Sequence, residues 1–176
     1  MDVKKECELV SIAPHMFRYE GWNNPRQSLM GFGFSCGKGW FNLLRELITG
    51  LAKIDKEYRI RCIQVKEKFG SLRWYYDLEP STNKKTIKKE QLTEKWLNRP
   101  LYKIWSFFYF TIFRHKVRLP NPYVFGLKGS IDRLIRIAER ASYKTCETCG
   151  NPGKPNEGGW ISVLCEECRE NRNKRE

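Results

Sequence analysis

Apolar residues recur along this chain with two different periods, and each period predicts a different element. From Trp40 to Ile54, the residues Leu44, Leu47, Ile48 and Leu51 fall at i, i+3, i+4 and i+7, while Asn42, Arg45, Glu46 and Lys53 take the other positions. That pattern predicts a helix with one apolar stripe and a polar face opposite it. A second helix is expected from about Ser130 to Tyr143. There Ile131, Leu134, Ile135 and Ala138 make the buried stripe, Ser130 supplies an N-cap, and Asp132 sits in the first turn, near the positive end of the helix dipole.

Between the two helices the period drops to two. Tyr58 to Lys66 and Leu72 to Asp77 read as strands joined by "EKFGS", where Gly70 can supply the positive φ of a short hairpin loop with a bulge. Ile63 and Val65 then share a face with Leu72, Trp74 and Tyr76. Gln64, Lys66, Arg73 and Tyr75 share the other. Ile60 and Cys62 break the alternation, which suggests that the start of the first strand is covered on both sides.

The remaining stretches have weaker patterns. Residues 14 to 39, rich in Gly, Pro and Asn, read as irregular with one short strand around Leu29 to Phe34. From 78 to about 125 a Lys-rich piece is followed by an aromatic one broken by Pro100, Pro120 and Pro122, and the whole reads as an insertion. The tail at 171–176 is expected to fray. The expected organisation is an α+β domain over 1–143 with that insertion, followed by a cysteine module over 144–170. In it an antiparallel, hairpin-containing sheet packs on the two helices, with a zinc ribbon or knuckle at the C-terminus.

Charge narrows the choice of partner. The chain has 176 residues, room for one sizeable core, and a formal net charge of +13. Eight of those thirteen charges arise between Thr82 and Arg118, where ten Lys or Arg face only Glu90 and Glu94. Aromatic residues are interleaved there, among them Trp96, Tyr102, Trp105 and Phe113. They can form core against the main domain, stack on bases, lie in a membrane interface, or offer a protein-binding surface over 96–118. The longest apolar run, Leu101 to Phe113, carries Lys103 and is shorter than the roughly 20 residues that span a bilayer. With no apolar leader after Met1, a cytoplasmic, reducing setting is expected.

The strongest chemical signal is Cys146-x-x-Cys149 followed by Cys165-x-x-Cys168. Four thiolates presented as two close pairs can close a tetrahedron around one structural Zn²⁺, and such a closed site staples a fold and does not catalyse. Redox pairs or disulfides are the alternative, but no βαβ pattern surrounds either pair. Trp160 and Val163 are expected to dock this module on the domain. Cys7, Cys36 and Cys62 read as packing groups. His15 and His115 have no visible acid partner and are assigned no role.

Two further features can hold an anion. The hairpin's polar face, with Gln64, Lys66, Arg73 and Tyr75 and with Lys68 reaching in from the turn, offers amide, cationic and aromatic groups; it can equally be a solvated sheet face. The turn "GFGFSCGKGW" leads into a helix start, where free N–H groups and Lys38 would favour an anion. Yet Lys38 is followed by Gly39, the glycine spacing is one short of a P-loop, and Cys36 stands where a dinucleotide fingerprint has its third glycine. A tight turn admitting Trp40 and Phe41 to the core is the other reading.

"GFSCGKGWFNLL", "IQVKEKFGSLRWYY" and "AERASYKTCETCGNPG…GGWISVLCEEC", in that order, resemble small proteins often carried by bacteriophages and prophages. Those pair a glycine-tryptophan helix start and a "QVKEKFG-LRFY"-type hairpin with a C-terminal cysteine module. The resemblance covers roughly residues 30 to 77 and 130 to 168 and implies a mobile-element setting, not a reaction. The stretch from Leu78 to Phe125 is longer than that family's spacer.

These readings favour a non-enzymatic, zinc-stabilised protein that binds nucleic acid through the 82–118 segment and the hairpin cations. One alternative is sequestration of a small or cyclic nucleotide signal in phage–host conflict, using the hairpin face and the Gly37-Lys38-Gly39 turn. Another is a protein-binding inhibitor or adaptor acting through the aromatic insertion. A metal-dependent nuclease would need Asp77 or Glu67 beside Lys66 and Lys68.

Overall fold

A computed structural model of the chain describes residues 1–17, 28–88, 126–156 and 159–174. The chain divides into two compact units, Met1–Glu79 with Ile131–Glu176, and Pro80–Ser130. In the second, Asn83 Oδ1 accepts the Lys85 N–H at 3.0 Å where a helical turn begins at 84–88. Most of the basic aromatic insertion, with the 96–118 surface and His115, lies outside the described residues.

The elements mix helix and strand. In chain order they are α1 (Val3–Ile12), α2 (Phe41–Ile54), β1 (Ile60–Lys68), β2 (Ser71–Leu78), α3 (Leu127–Ser142), β3 (Lys154–Pro155), β4 (Val163–Leu164) and α4 (Glu166–Asn173). Both sheets, β1-β2 and β3-β4, are two-stranded antiparallel pairs. On α2 the predicted stripe of Leu44, Leu47, Ile48 and Leu51 is buried. Ile131, Ile135 and Ala138 of α3 are buried likewise, with Leu134 half-buried. Phe17 joins the layers, its ring centroid 5.7 Å from that of Phe34 and 6.2 Å from that of Trp74.

The hairpin differs from expectation in two related ways. Its loop is only Phe69-Gly70, both at positive φ (54° and 72°), as a two-residue turn matched to strand twist requires. The bulge lies inside β1, where Cys62 pairs with Tyr76 and Gln64 with Tyr75, so Ile63 is the extra residue. That insertion resets the alternation. Ile60, Cys62 and Val65 are therefore the fully buried positions of β1, and Ile63 does not share their face. What reads in the sequence as broken alternation is two correct alternations out of phase.

Other boundaries also moved. Leu29–Phe32 is a 3-10 turn and not a strand. Its N-cap Ser28 reaches the sheet through Oγ to Ile63 O (3.3 Å), and Ser35 just beyond it bridges β1 through Ser35 N–H to Val65 O (3.0 Å) and Glu67 N–H to Ser35 O (2.9 Å), which covers part of the β1 edge. α3 starts at Leu127, so Ser130 lies inside it, its hydroxyl bonded to the Gly126 carbonyl at 3.2 Å and not capping. Asp132 instead accepts the Tyr76 hydroxyl at 2.6 Å. α1 had no strong sequence signal, because Leu9 is its one buried residue. It is held by the Asp2 N-cap on Lys5 N–H and by Glu6 Oε1, which accepts the Phe34 N–H at 3.1 Å.

Candidate functional site

The cysteine module is built from three local devices. Cys146 to Gly150 form a knuckle turn in which the Gly150 N–H returns to Cys146 O (2.9 Å) and the Cys146 N–H bonds Asn151 O (2.7 Å). Gly150 takes φ +86°, a conformation that a side chain would strain. The β3-β4 hairpin then carries the chain to Cys165, the N-cap of α4, so the second pair begins a helix where the first makes a knuckle. The positive helix end favours thiolate there.

The four sulfur atoms lie within 4.8 Å of one another, with Cys149 and Cys165 3.6 Å apart. Zn–S bonds of about 2.3 Å place the corners of a tetrahedron about 3.8 Å apart, so the four thiols fit one thiophilic ion with little rearrangement. All seven cysteines are free thiols. Burial pushes Cys146 up, but backbone N–H groups of Cys165, Cys149 and Thr148 outweigh it and bring that thiol down to about 6. The hydrogen bond shared with Cys165 pushes Cys168 up. One thiolate is thus stabilised while a neighbour stays protonated, as expected of a cluster that ionises fully only around a cation.

The glycine turn meets this module. Gly37 N–H donates to Glu147 Oε1 (3.0 Å), Gly39 N–H donates to Glu147 O (2.8 Å), and Trp40 Nε1 donates to Thr145 O (2.9 Å). The backbones approach so closely that a Cβ on Gly39 would stand 2.3 Å from Cys146 O. The anion on this turn is the chain's own Glu147, whose carboxyl is raised by burial and held back by the Gly37 N–H. Two of the donors that a Lys38 anion site would use are therefore engaged inside the fold. Trp40 is fully buried beside them.

The hairpin's polar residues do come together. Gln64 pairs with Tyr75 across the strands and Lys66 with Arg73, with Lys68 two rungs on, opposite Ser71. Lys66 Nζ lies 5.3 Å from the Tyr75 ring centroid, and Tyr75 is exposed. Arg73 is shared: Nη1 is 3.0 Å from Ser71 Oγ and 3.6 Å from Glu139 Oε1. Asp77 and Glu67 are not brought together. Asp77 pairs with Arg61 near one end, Glu67 with Leu72 near the turn, and the alternation puts them on opposite faces. Glu67 Oε1 instead accepts the Gly70 N–H at 2.6 Å.

Two sequence expectations fail here. His15 does have an acid partner: its Nε2 is 3.2 Å from Oδ2 of buried Asp55, which also accepts the N–H groups of Arg59 (2.8 Å) and Ile60 (2.9 Å). Forty residues separate the pair, so no local signal reveals it. Trp160 does not dock the module, being 74% exposed, while Val163 is buried. The docking falls to Ile161 and Val163, whose methyl groups face Gly70.

Among the described residues, no helix is long and apolar enough to cross a membrane. The chain matches no protein-family model, no curated protein and no solved structure.

Proposed function

We propose that the protein is a non-enzymatic nucleic-acid-binding protein of the cytoplasm, from a mobile-element setting. In this reading one structural zinc ion, held by Cys146, Cys149, Cys165 and Cys168 in a ribbon or knuckle module, rigidifies the fold. The observation that supports binding is the hairpin face, where Gln64, Lys66, Lys68, Arg73 and Tyr75 occupy adjacent rungs of one sheet face. Cations there meet phosphate, and the exposed Tyr75 ring offers a surface for a base. A net charge of +13 supplies the long-range attraction.

A titration of labelled DNA and RNA against salt tests this reading. If Lys66, Lys68 and Arg73 each neutralise one phosphate, log affinity against log salt falls with a slope of roughly −3, because each contact releases condensed counterions. Affinity that does not change with salt refutes the reading.

A further inference from the structure

Trp160 stands in water on the loop between β3 and β4, and that loop is pinned at both ends by one residue. Asn156 Nδ2 donates to Trp160 O (3.0 Å), and Asn156 Oδ1 accepts the Ser162 N–H (2.7 Å). Asn156 thus bonds the chain on both sides of an exposed indole, an arrangement suited to a partner.

Beside it runs a groove of about 620 Å³ between α4 and the β3-β4 hairpin. Trp160, Lys154, Arg169, Arg172 and Asn173 line it, Leu164 contributes an apolar wall, and no carboxylate is among the described lining residues. The acids of α4, Glu166, Glu167 and Glu170, do not line it. Two of the cations are oriented by the module itself. Arg169 Nη2 donates to Lys154 O at 3.0 Å and Arg172 Nη1 to Ser162 Oγ at 3.0 Å. Arg169 Nε is buried with no partner among the described residues.

The residue after Trp160 also touches the β1-β2 hairpin. A Cβ on Gly70 would lie 3.1 Å from Ile161 Cγ2, so the Phe69-Gly70 turn touches the residue next to Trp160. Phe69 is 59% exposed, with Lys68 Nζ 5.4 Å from its ring centroid.

We propose that this groove binds single-stranded nucleic acid, with one base stacked on Trp160 and neighbouring phosphates on Lys154, Arg169 and Arg172. A duplex keeps its base faces covered, whereas an unpaired base can present its face to an indole. This inference rests on the nucleic-acid reading above and assigns it a site and a strand preference.

The test uses the full-length, zinc-loaded protein, with fluorescence anisotropy of a labelled oligothymidylate and of a duplex of equal length. Trp160→Ala and Lys154→Ala change exposed side chains, and zinc content with a thermal melt verifies their fold. The expected result is a loss of about tenfold in single-strand affinity for Trp160→Ala, with Trp160→Phe keeping most of it and duplex binding little changed. If both alanine variants bind the single strand as wild type does, while a Lys66→Ala/Lys68→Ala variant loses affinity, the groove is refuted and the nucleic-acid reading stands. Wild-type protein that binds neither oligonucleotide overturns both. Thymidine monophosphate that competes as tightly as the oligothymidylate overturns strand binding in favour of a mononucleotide pocket.

Discussion

Glu147 receives Gly39 on its carbonyl at 2.8 Å and Gly37 on its carboxylate at 3.0 Å, so the residue after the first cysteine of the cluster locks the turn leading into α2 onto the cysteine module. The fold and the cysteine module are thereby coupled: whatever disturbs the knuckle disturbs the seat of Trp40.

Gly39→Ala tests that coupling. Its methyl would meet the Cys146 carbonyl and the Cys149 and Gly150 backbone nitrogens, none of which is the far end of a flexible side chain. A loss of about 3 kcal/mol is expected, with weakened zinc retention, measured by denaturant unfolding and a chelator competition. Glu147→Ala removes one hydrogen bond and should cost about 1 kcal/mol, whereas Glu147→Gln, which keeps an oxygen acceptor, should cost less.

Stripping the metal should lower the thermal midpoint of the whole fold. Cys146 is fully buried, its carbonyl is packed against Gly39 and its neighbour Thr145 accepts the Trp40 indole, so loss of the ion spreads inward. Chelated protein should also show altered near-ultraviolet signals from buried tryptophan, and added Zn²⁺ should restore both. Chelation that leaves the melt unchanged would contradict the coupling.

Tyr76 carries a pH dependence whose sign follows from its surroundings. Burial first, then the hydrogen bond and charge of Asp132, hold its phenol above the usual 10.0. A raised folded-state value means the neutral phenol stabilises the fold fully below pH 10 and loses that contribution as pH rises through the folded-state value. Tyr76→Phe should cost about 1 kcal/mol at neutral pH and soften the alkaline loss of stability, read from unfolding curves at both conditions.

The thiols should fall into distinct reactivity classes. Cys62 is fully buried, and burial raises its thiol far above the usual range. Burial, followed by the nearby Glu147 carboxylate, pushes Cys36 up to about 12. Cys7 is exposed. In native zinc-loaded protein a thiol reagent should modify Cys7 rapidly and the other six slowly, with the cluster cysteines released on chelation. Fast modification of Cys36 or Cys62 would show that this part of the core opens.

The cysteine cluster, the α2 stripe and the hairpin's polar face are all legible from residue order, because each depends on spacing within a few turns or rungs. Cys146 and Cys149 meet through one knuckle, and Lys66 meets Arg73 through one two-residue turn. Features that join distant segments carry no such mark. The Asp55–His15 pair, the seat of Glu147 on the glycine turn and the docking of α1 through Glu6 arise only when separate segments pack. Ile63 shows the boundary between the two: the residues alternate correctly on either side of it, but which one bulges was set by the pairing of Cys62 with Tyr76 and Gln64 with Tyr75. Trp160 shows it again. Its apolar bulk suggests burial, but Ile161 and Val163 fill the contact with Gly70, and packing geometry left the larger ring outside.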